Sequence, residues 1–234
     1  TINAGATLTI PSGRTVKIDS GGEISVQGTL NATGVKFTWA DGTNPWGGIT
    51  FSGAGASGSR LENCEFEHVN GYRTGAVLYI SGSSPAIIGC TFHDNTASSG
   101  IYINSASPQI SNSSISGMSG YGIYVVNDSS PTVTGDTLSG NQYGIMITGD
   151  SNGTYTGNTF SGNHYGVYVA YAANNPAFSN NTYTSNSIAD HYSAGAITGN
   201  ITWDGIDQDG VYHISGLTIN AGATLTIPSG RTVK

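Results

Sequence analysis

Apolar side chains recur at every second residue along much of this chain. Thr7-Leu-Thr-Ile10, Thr15-Val-Lys-Ile18, Glu23-Ile-Ser-Val26 and Val35-Lys-Phe-Thr38 each set apolar groups two apart, with Gly, Pro, Asn and Ser between the runs. Alternation of that period, bounded by turn-forming residues, marks half-buried β-strands. No stretch carries a convincing helical period. The segments Asp41 to Trp46 and Ala54 to Gly58 break the rhythm and read as loops.

From Ser59 to Asn200 the alternation becomes a repeated phrase. Its copies are Ser59-Arg-Leu-Glu-Asn-Cys-Glu-Phe66, Pro85-Ala-Ile-Ile-Gly-Cys-Thr-Phe92, Pro108-Gln-Ile-Ser-Asn-Ser-Ser-Ile115, Pro131-Thr-Val-Thr-Gly-Asp-Thr-Leu138, Gly153-Thr-Tyr-Thr-Gly-Asn-Thr-Phe160 and Pro176-Ala-Phe-Ser-Asn-Asn-Thr-Tyr183. Successive copies start 26, 23, 23, 22 and 23 residues apart. A fixed period of this size predicts a solenoid, whose coils bury their apolar faces only against their neighbours. Each coil carries a second strand: Leu78-Tyr-Ile80, Ile101-Tyr-Ile103, Ile123-Tyr-Val125, Ile145-Met-Ile147 and Val167-Tyr-Val169. The first and third residues of each should face inward and the middle one outward. Asn95, Asn141, Asn163 and Asn186 each stand three residues past the phrase. Stacked asparagines that bond one another and tolerate left-handed backbone suit a tight corner there.

These coils resemble those of right-handed parallel β-helix repeat proteins, the broad pectin-lyase-like group. The opening run Gly5-Ala-Thr-Leu-Thr-Ile-Pro-Ser-Gly13, leading to Trp46-Gly-Gly-Ile-Thr-Phe51, is similar to the first coils of bacterial and archaeal surface proteins in that group. The second copy of that run, Gly222 to Gly230, follows Tyr212-His-Ile-Ser-Gly216. The resemblance covers nearly the whole chain. It implies an all-β fold, a right-handed parallel β-helix with coils of about 22 residues. At about 4.8 Å per coil, roughly ten coils would make a rod of about 48 Å. The group spans lyases, hydrolases, adhesins and structural stalks, so the fold leaves function open.

The ends carry an exact duplication. Thr1 to Lys17 recurs letter for letter as Thr218 to Lys234, which sets a unit of 217 residues. Residues 1–217 thus read as one β-helix repeat unit and 218–234 as the start of the next, an excerpt from a tandem array. The first coil of a following unit would cover strand edges that a solenoid otherwise leaves bare and prone to association.

Charge is sparse, with 7 basic residues against 14 acidic. An acidic chain without a basic cluster has no electrostatic footprint for nucleic acid. No apolar run reaches the roughly 20 residues that a membrane-spanning helix needs, so membrane insertion is not expected. The Lys-poor, Asn/Ser/Thr-rich composition resembles that of extracellular or cell-surface proteins. Sequons at Asn31, Asn112, Asn127, Asn152, Asn180 and Asn200 are candidate glycosylation sites.

Candidate chemistry is thin. Cys64 and Cys90 share one inward position in adjacent coils, where a disulfide or a pair of stacked thiols would fit. Glu67 over His93, His68 over Asp94 and Glu65 over Thr91 form the best acid/base patch, but surface charge pairing on a turn is the favoured account of it. Asp204, Asp207 and Asp209 offer oxygen ligands, but their spacing does not match the calcium-binding loop. Carbohydrate-cleaving members of the resembled group use clustered Asp with a basic residue nearby. This chain has no adjacent Asp pair and no Arg or Lys between Arg73 and Arg231, so no catalytic residue, metal or cofactor carries over. Tyr79, Tyr102, Tyr124 and Tyr168 form an outward ladder interrupted by Met146, suited to stacking on sugar rings or packing on a neighbouring rod, or simply to cross-strand stacking that stabilises the sheet. Tyr121, Tyr143 and Tyr165 form a second row beside it. The expected function is a non-enzymatic extracellular structural unit of a tandem β-helix filament, stalk or adhesin, self-associating end to end, with glycans as a second candidate partner. The alternative is a carbohydrate-binding module or polysaccharide-cleaving enzyme.

Overall fold

A computed structural model describes residues 1–170, 175–203, 211–230 and 232–234. The chain winds through three strands per coil: Thr7–Ile10 opens a first sheet, Thr15–Ile18 a second and Glu23–Val26 a third. Later coils stack on these in parallel, giving sheets of 8, 8 and 10 strands among the described residues. The first-sheet register steps from Thr7 to Thr29, from Asn31 to Arg60, then through Ala86, Gln109, Thr132, Thr154 and Ala177. Coils in the body are therefore 22 or 23 residues long, and two early ones run to 29 and 26. The extra residues of the 29-residue coil lie in the predicted loops, and those of the 26-residue coil lie between strands Glu65–Phe66 and Ala76–Ser81, where the sequence pattern marks no loop. Asp41 caps the backbone N–H groups of Thr43 and Asn44 at 2.9 and 2.8 Å, whereas Ala54–Gly58 winds into a short 3-10 helix.

Each repeated phrase holds two strands, not one, with a corner at its fifth and sixth residues. Thr132–Thr134 belongs to the first sheet and Thr137–Ser139 to the second. The fifth residue, Asn63, Gly89, Asn112, Gly135, Gly157 or Asn180, has φ between 51° and 70°. Only Gly and Asn adopt left-handed backbone readily, which fixes the choice at that position. The sixth residue turns inward and ties coils together. Cys90 N–H donates to Ser113 Oγ (3.1 Å), Ser113 N–H to Asp136 Oδ1 (2.6 Å), Asp136 N–H to Asn158 Oδ1 (2.9 Å) and Asn158 N–H to Asn181 Oδ1 (2.9 Å). Asn158 and Asn181 also donate Nδ2–H to the carbonyls of Val133 (3.0 Å) and Tyr155 (2.9 Å) in the preceding coil.

The next corner carries the second asparagine row that the spacing predicts. Asn141 and Asn163 donate Nδ2–H to the Oδ1 of Asn163 (3.2 Å) and Asn186 (3.1 Å), and all three bond a carbonyl of the preceding coil. Between the corners the interior is apolar. Leu61, Ile87, Ile110, Val133, Tyr155 and Phe178 line the first sheet, and Phe66, Phe92, Ile115, Leu138 and Phe160 the second, all buried. Phe37, Phe66 and Phe92 stack face to face at 5.1 and 4.9 Å.

At the far end the third sheet continues through Ala189–Ile197 and Val211–Ile219, with a register shift at Ala194/Gly195. The first sheet stops at Ala177–Ser179, and Asn200–Thr202 pairs instead with Thr224–Thr226 in a separate two-stranded ladder.

Candidate functional site

The charged chemistry gathers on the outer face of the second sheet, where strands Lys36–Trp39, Glu65–Phe66 and Thr91–Phe92 lie side by side. The pairing is diagonal, not the straight Glu67–His93 pairing read from the sequence. His93 Nε2 meets Glu65 Oε1 at 2.9 Å and its Nδ1 meets Asp94 Oδ2 at 2.8 Å. Glu67 is taken by the preceding coil instead: Lys36 Nζ lies 2.8 Å from Glu67 Oε1, and Thr38 Oγ1 donates to the same oxygen at 2.8 Å. Lys36 also reaches Glu65 Oε1 at 3.2 Å. His68 stacks on Trp39 with ring centroids 3.8 Å apart. Sequence spacing missed Lys36, Thr38 and Trp39 because the coil that carries them has no copy of the phrase.

The network is closed on itself. Burial works against ionisation of Glu67, but the hydrogen bonds from Lys36 and Thr38 hold its carboxyl below the usual range. Asp94, and beyond it Glu65, raise the imidazole of His93 above its usual value, and Glu67 does the same for the Lys36 ammonium. Opposite charges thus favour one another's charged forms, Glu67 as carboxylate and Lys36 and His93 as cations. Donor atoms of Glu65, Glu67 and His93 lie within 4.8 Å of one another, but the Lys36 ammonium already stands between the two carboxylates.

The tyrosines form the second organised surface. Tyr79, Tyr102 and Tyr124 align in register, Met146 interrupts the row, and Tyr168 and Tyr192 resume it. The second row bridges the interruption. Tyr121 stacks on Tyr124 at 4.4 Å and on Tyr143 at 5.2 Å, Tyr143 stacks on Tyr165 at 5.1 Å, and Tyr165 meets Tyr168 edge-on at 5.4 Å. The two rows are one continuous array. A glycine follows each second-row tyrosine and lets adjacent coils approach: a Cβ at Gly122, Gly144 or Gly166 would fall 2.4–2.6 Å from a carbonyl oxygen of the next coil. Along Tyr121, Tyr143 and Tyr165 the planes lie 22° and 7° apart, so ring faces cover one another. Partial burial raises the hydroxyl pKa values of Tyr102, Tyr121, Tyr143 and Tyr168. Sequence reading passed over Tyr192, whose strand reads His191-Tyr-Ser193 where the others read apolar-Tyr-apolar.

The third feature is the duplicated segment. In both copies the same turn closes, Ala6 N–H to Asn3 C=O at 2.9 Å and Ala223 N–H to Asn220 C=O at 3.0 Å. Gly5 and Gly222 share φ of 79° and 82°, and Gly13 and Gly230 share 76° and 80°. The copies bond through opposite edges. The first pairs forward, Leu8 with Leu30, and Thr29 N–H donates to Ala6 C=O. The second pairs backward, Leu225 with Ile201, and Thr224 N–H donates to Gly199 C=O.

The family model for a right-handed β-helix region matches residues 8–138 and 47–202. The chain belongs to the right-handed β-helix family. No curated protein matches it in sequence. Among solved structures it is similar to the A-module of mannuronan C-5 epimerase AlgE6 from Azotobacter vinelandii, at 10% identity and a TM-score of 0.34, over 98% of this chain and 91% of that one.

Within this β-helix, Cys64 and Cys90 are buried free thiols, each near carbonyl oxygens at 3.4–3.5 Å. The hydrogen bond with Cys64, and burial, hold Cys90 protonated. Asn112, Asn127, Asn152, Asn180 and Asn200 are exposed and Asn31 is half-buried. Two of these sequons follow from coil geometry alone: Asn112 and Asn180 occupy the left-handed corner, and the outward Ser114 and Thr182 follow two residues later. Asp204, Asp207 and Asp209 lie outside the described residues.

Proposed function

We propose that residues 1–217 are one structural repeat of a tandem β-helix rod, non-enzymatic and working outside the cell or on its surface, in which identical units follow head to tail. One observation carries this reading: the repeated segment keeps one conformation while bonding forward in its first copy and backward in its second. A single segment can therefore satisfy both neighbours at once, with each strand edge paired. The non-enzymatic part rests on the closed Lys36–Glu67 and Glu65–His93–Asp94 network.

The test is a chain in which residues 1–217 precede the present 234. Nine third-sheet strands belong to one unit, so the added length should be about 43 Å. Negative-stain images and small-angle scattering should show one straight rod; two beads on a flexible tether would refute the reading. A reducing-end assay on acidic and neutral polysaccharides that finds product lost in Glu67→Gln would overturn the non-enzymatic part.

A further inference from the structure

We infer that the last coil of the unit is a socket for segment 1–17, and that its partner, when residues 218–234 do not fill it, is the head of a second copy of this chain. The inference rests on the rod reading and extends it from joints within one chain to joints between chains.

The socket can be described because its occupant is seated. Ile197 C=O accepts from Asn220 N–H at 3.0 Å, Trp203 N–H donates to Thr226 C=O at 3.0 Å, and Tyr212 C=O accepts from Lys234 N–H at 2.9 Å. Beneath lie Ile197, Ile201, Trp203 and Tyr212, all buried, with the Tyr212 hydroxyl donating to Trp203 C=O at 2.9 Å. Leu225 packs against this core. Its counterpart at the head, Leu8, is 43% exposed. Adjacent residues of a strand direct their backbone groups to opposite sides, and Thr224, the copy of Thr7, uses its N–H on Gly199. At the head the Thr7 N–H therefore faces away from the coil that Ala6 bonds. The head presents the groups that the socket receives, in the same sequence and conformation.

Phase explains why the 234-residue chain should not polymerise through this surface. The outer edge of strand Thr224–Thr226 calls for the counterpart of Thr29–Thr33, as strand Thr7–Ile10 pairs with it at the head. A second molecule brings Thr1 to Lys17 again, which is out of step. Residues 218–234 thus act as a cap. A contact between unlike surfaces that does not close produces open filaments once the cap is gone.

The experiment compares the full chain with one ending at Leu217, by sedimentation velocity over a concentration series and by negative stain. The full chain should stay a single species, and the truncated chain should form straight filaments at multiples of one chain's mass. A synthetic Thr1 to Lys17 peptide should suppress them and a scrambled peptide should not. Thr7→Pro, which removes an N–H used only across the joint, should abolish them. A folded truncated chain that stays monomeric, or filaments indifferent to the peptide and to Thr7→Pro, would overturn the proposal. Should truncation unfold the last coil, Thr224→Pro in the full chain loosens the cap without removing it. Concentration-dependent association of that variant supports the socket, and a monomer throughout refutes it. A straight two-unit rod combined with a monomeric truncated chain would sink this inference alone.

Discussion

Asp136 gives the sharpest test of the corner ladder. Its side chain is fully buried in a row otherwise made of Cys, Ser and Asn. Oδ1 accepts the Ser113 N–H at 2.6 Å, and Oδ2 has no partner. In the next two coils the matching atom is an Nδ2 that donates to the carbonyl of Val133 or Tyr155. Register places Ile110 in that role for Asp136. A carboxylate cannot donate, so burial raises the acid from 3.8 to about 7. That difference is worth about 4 kcal/mol. Because the folded-state value is raised, the contribution is fully present below about pH 3.8 and is lost as pH climbs to about 7. Asp136→Asn supplies the missing donor and removes the titration. Denaturant unfolding should show variant and parent alike near pH 4, with the variant ahead by about 4 kcal/mol at pH 8. Paired carboxylates elsewhere titrate in both proteins and cancel in the difference. A gap that does not change between the two pH values, or a variant weaker at pH 8, would refute the reasoning.

Other consequences are as direct. Asp94→Asn removes the largest influence that raises His93, so NMR should find the imidazole titrating closer to its ordinary value. The parent loses the stability tied to His93 as pH rises through that raised value, and the variant should lose it earlier. Gly144→Ala forces a Cβ to 2.4 Å from the Gly166 carbonyl oxygen and 2.8 Å from Phe160 Cδ1. It should cost roughly 1–3 kcal/mol in denaturant unfolding. Cys64 and Cys90 are buried, so a thiol reagent should label neither until the chain unfolds, and rapid native labelling would contradict the packing.

Much of this fold is legible in the sequence because a solenoid writes each constraint once per coil. Leu61, Ile87 and Ile110 repeat the inward position, and Asn141, Asn163 and Asn186 repeat the corner. The corner inside the phrase was harder to read, since Gly135-Asp136 interrupts the alternation by only one residue, and the result resembles one longer strand. The role of Asp136 was invisible for another reason. The inward reading of Cys64 and Cys90 applies to the same position, but a carboxyl beside a left-handed glycine looks like an ordinary exposed turn, and the pairing register alone shows which carbonyl it lacks a proton for. The charged patch was half legible: the residues over one another in register were correct for Glu65 and Thr91, but long side chains reach diagonally, and Lys36 comes from a coil outside the repeat.

That position suggests what the charged patch does. The body coils are held by Asn and Ser rows, whereas the long coils around Lys36 and Glu65 precede them and have few such links. There the corner links are Leu30 N–H to Ser59 Oγ (3.0 Å) and the two bonds of Asn95, which takes the Val69 N–H at 2.9 Å and donates to the Phe66 carbonyl at 3.0 Å. The outer face adds Lys36 to Glu65 and Glu67, Thr38 to Glu67, and Glu65 to His93. The patch then serves as a register lock on coils where the corner rows thin to Ser59 and Asn95. Lys36→Met keeps the aliphatic stem and removes the charge. For a half-exposed pair the global loss should be under about 1 kcal/mol, so denaturant melting is the wrong instrument. Hydrogen exchange should instead show faster opening of strands Thr29–Thr33 and Lys36–Trp39, with Thr132–Thr134 and Thr154–Thr156 unchanged. Exchange that quickens equally along the rod, or nowhere, would remove the lock and leave the patch without a structural reason.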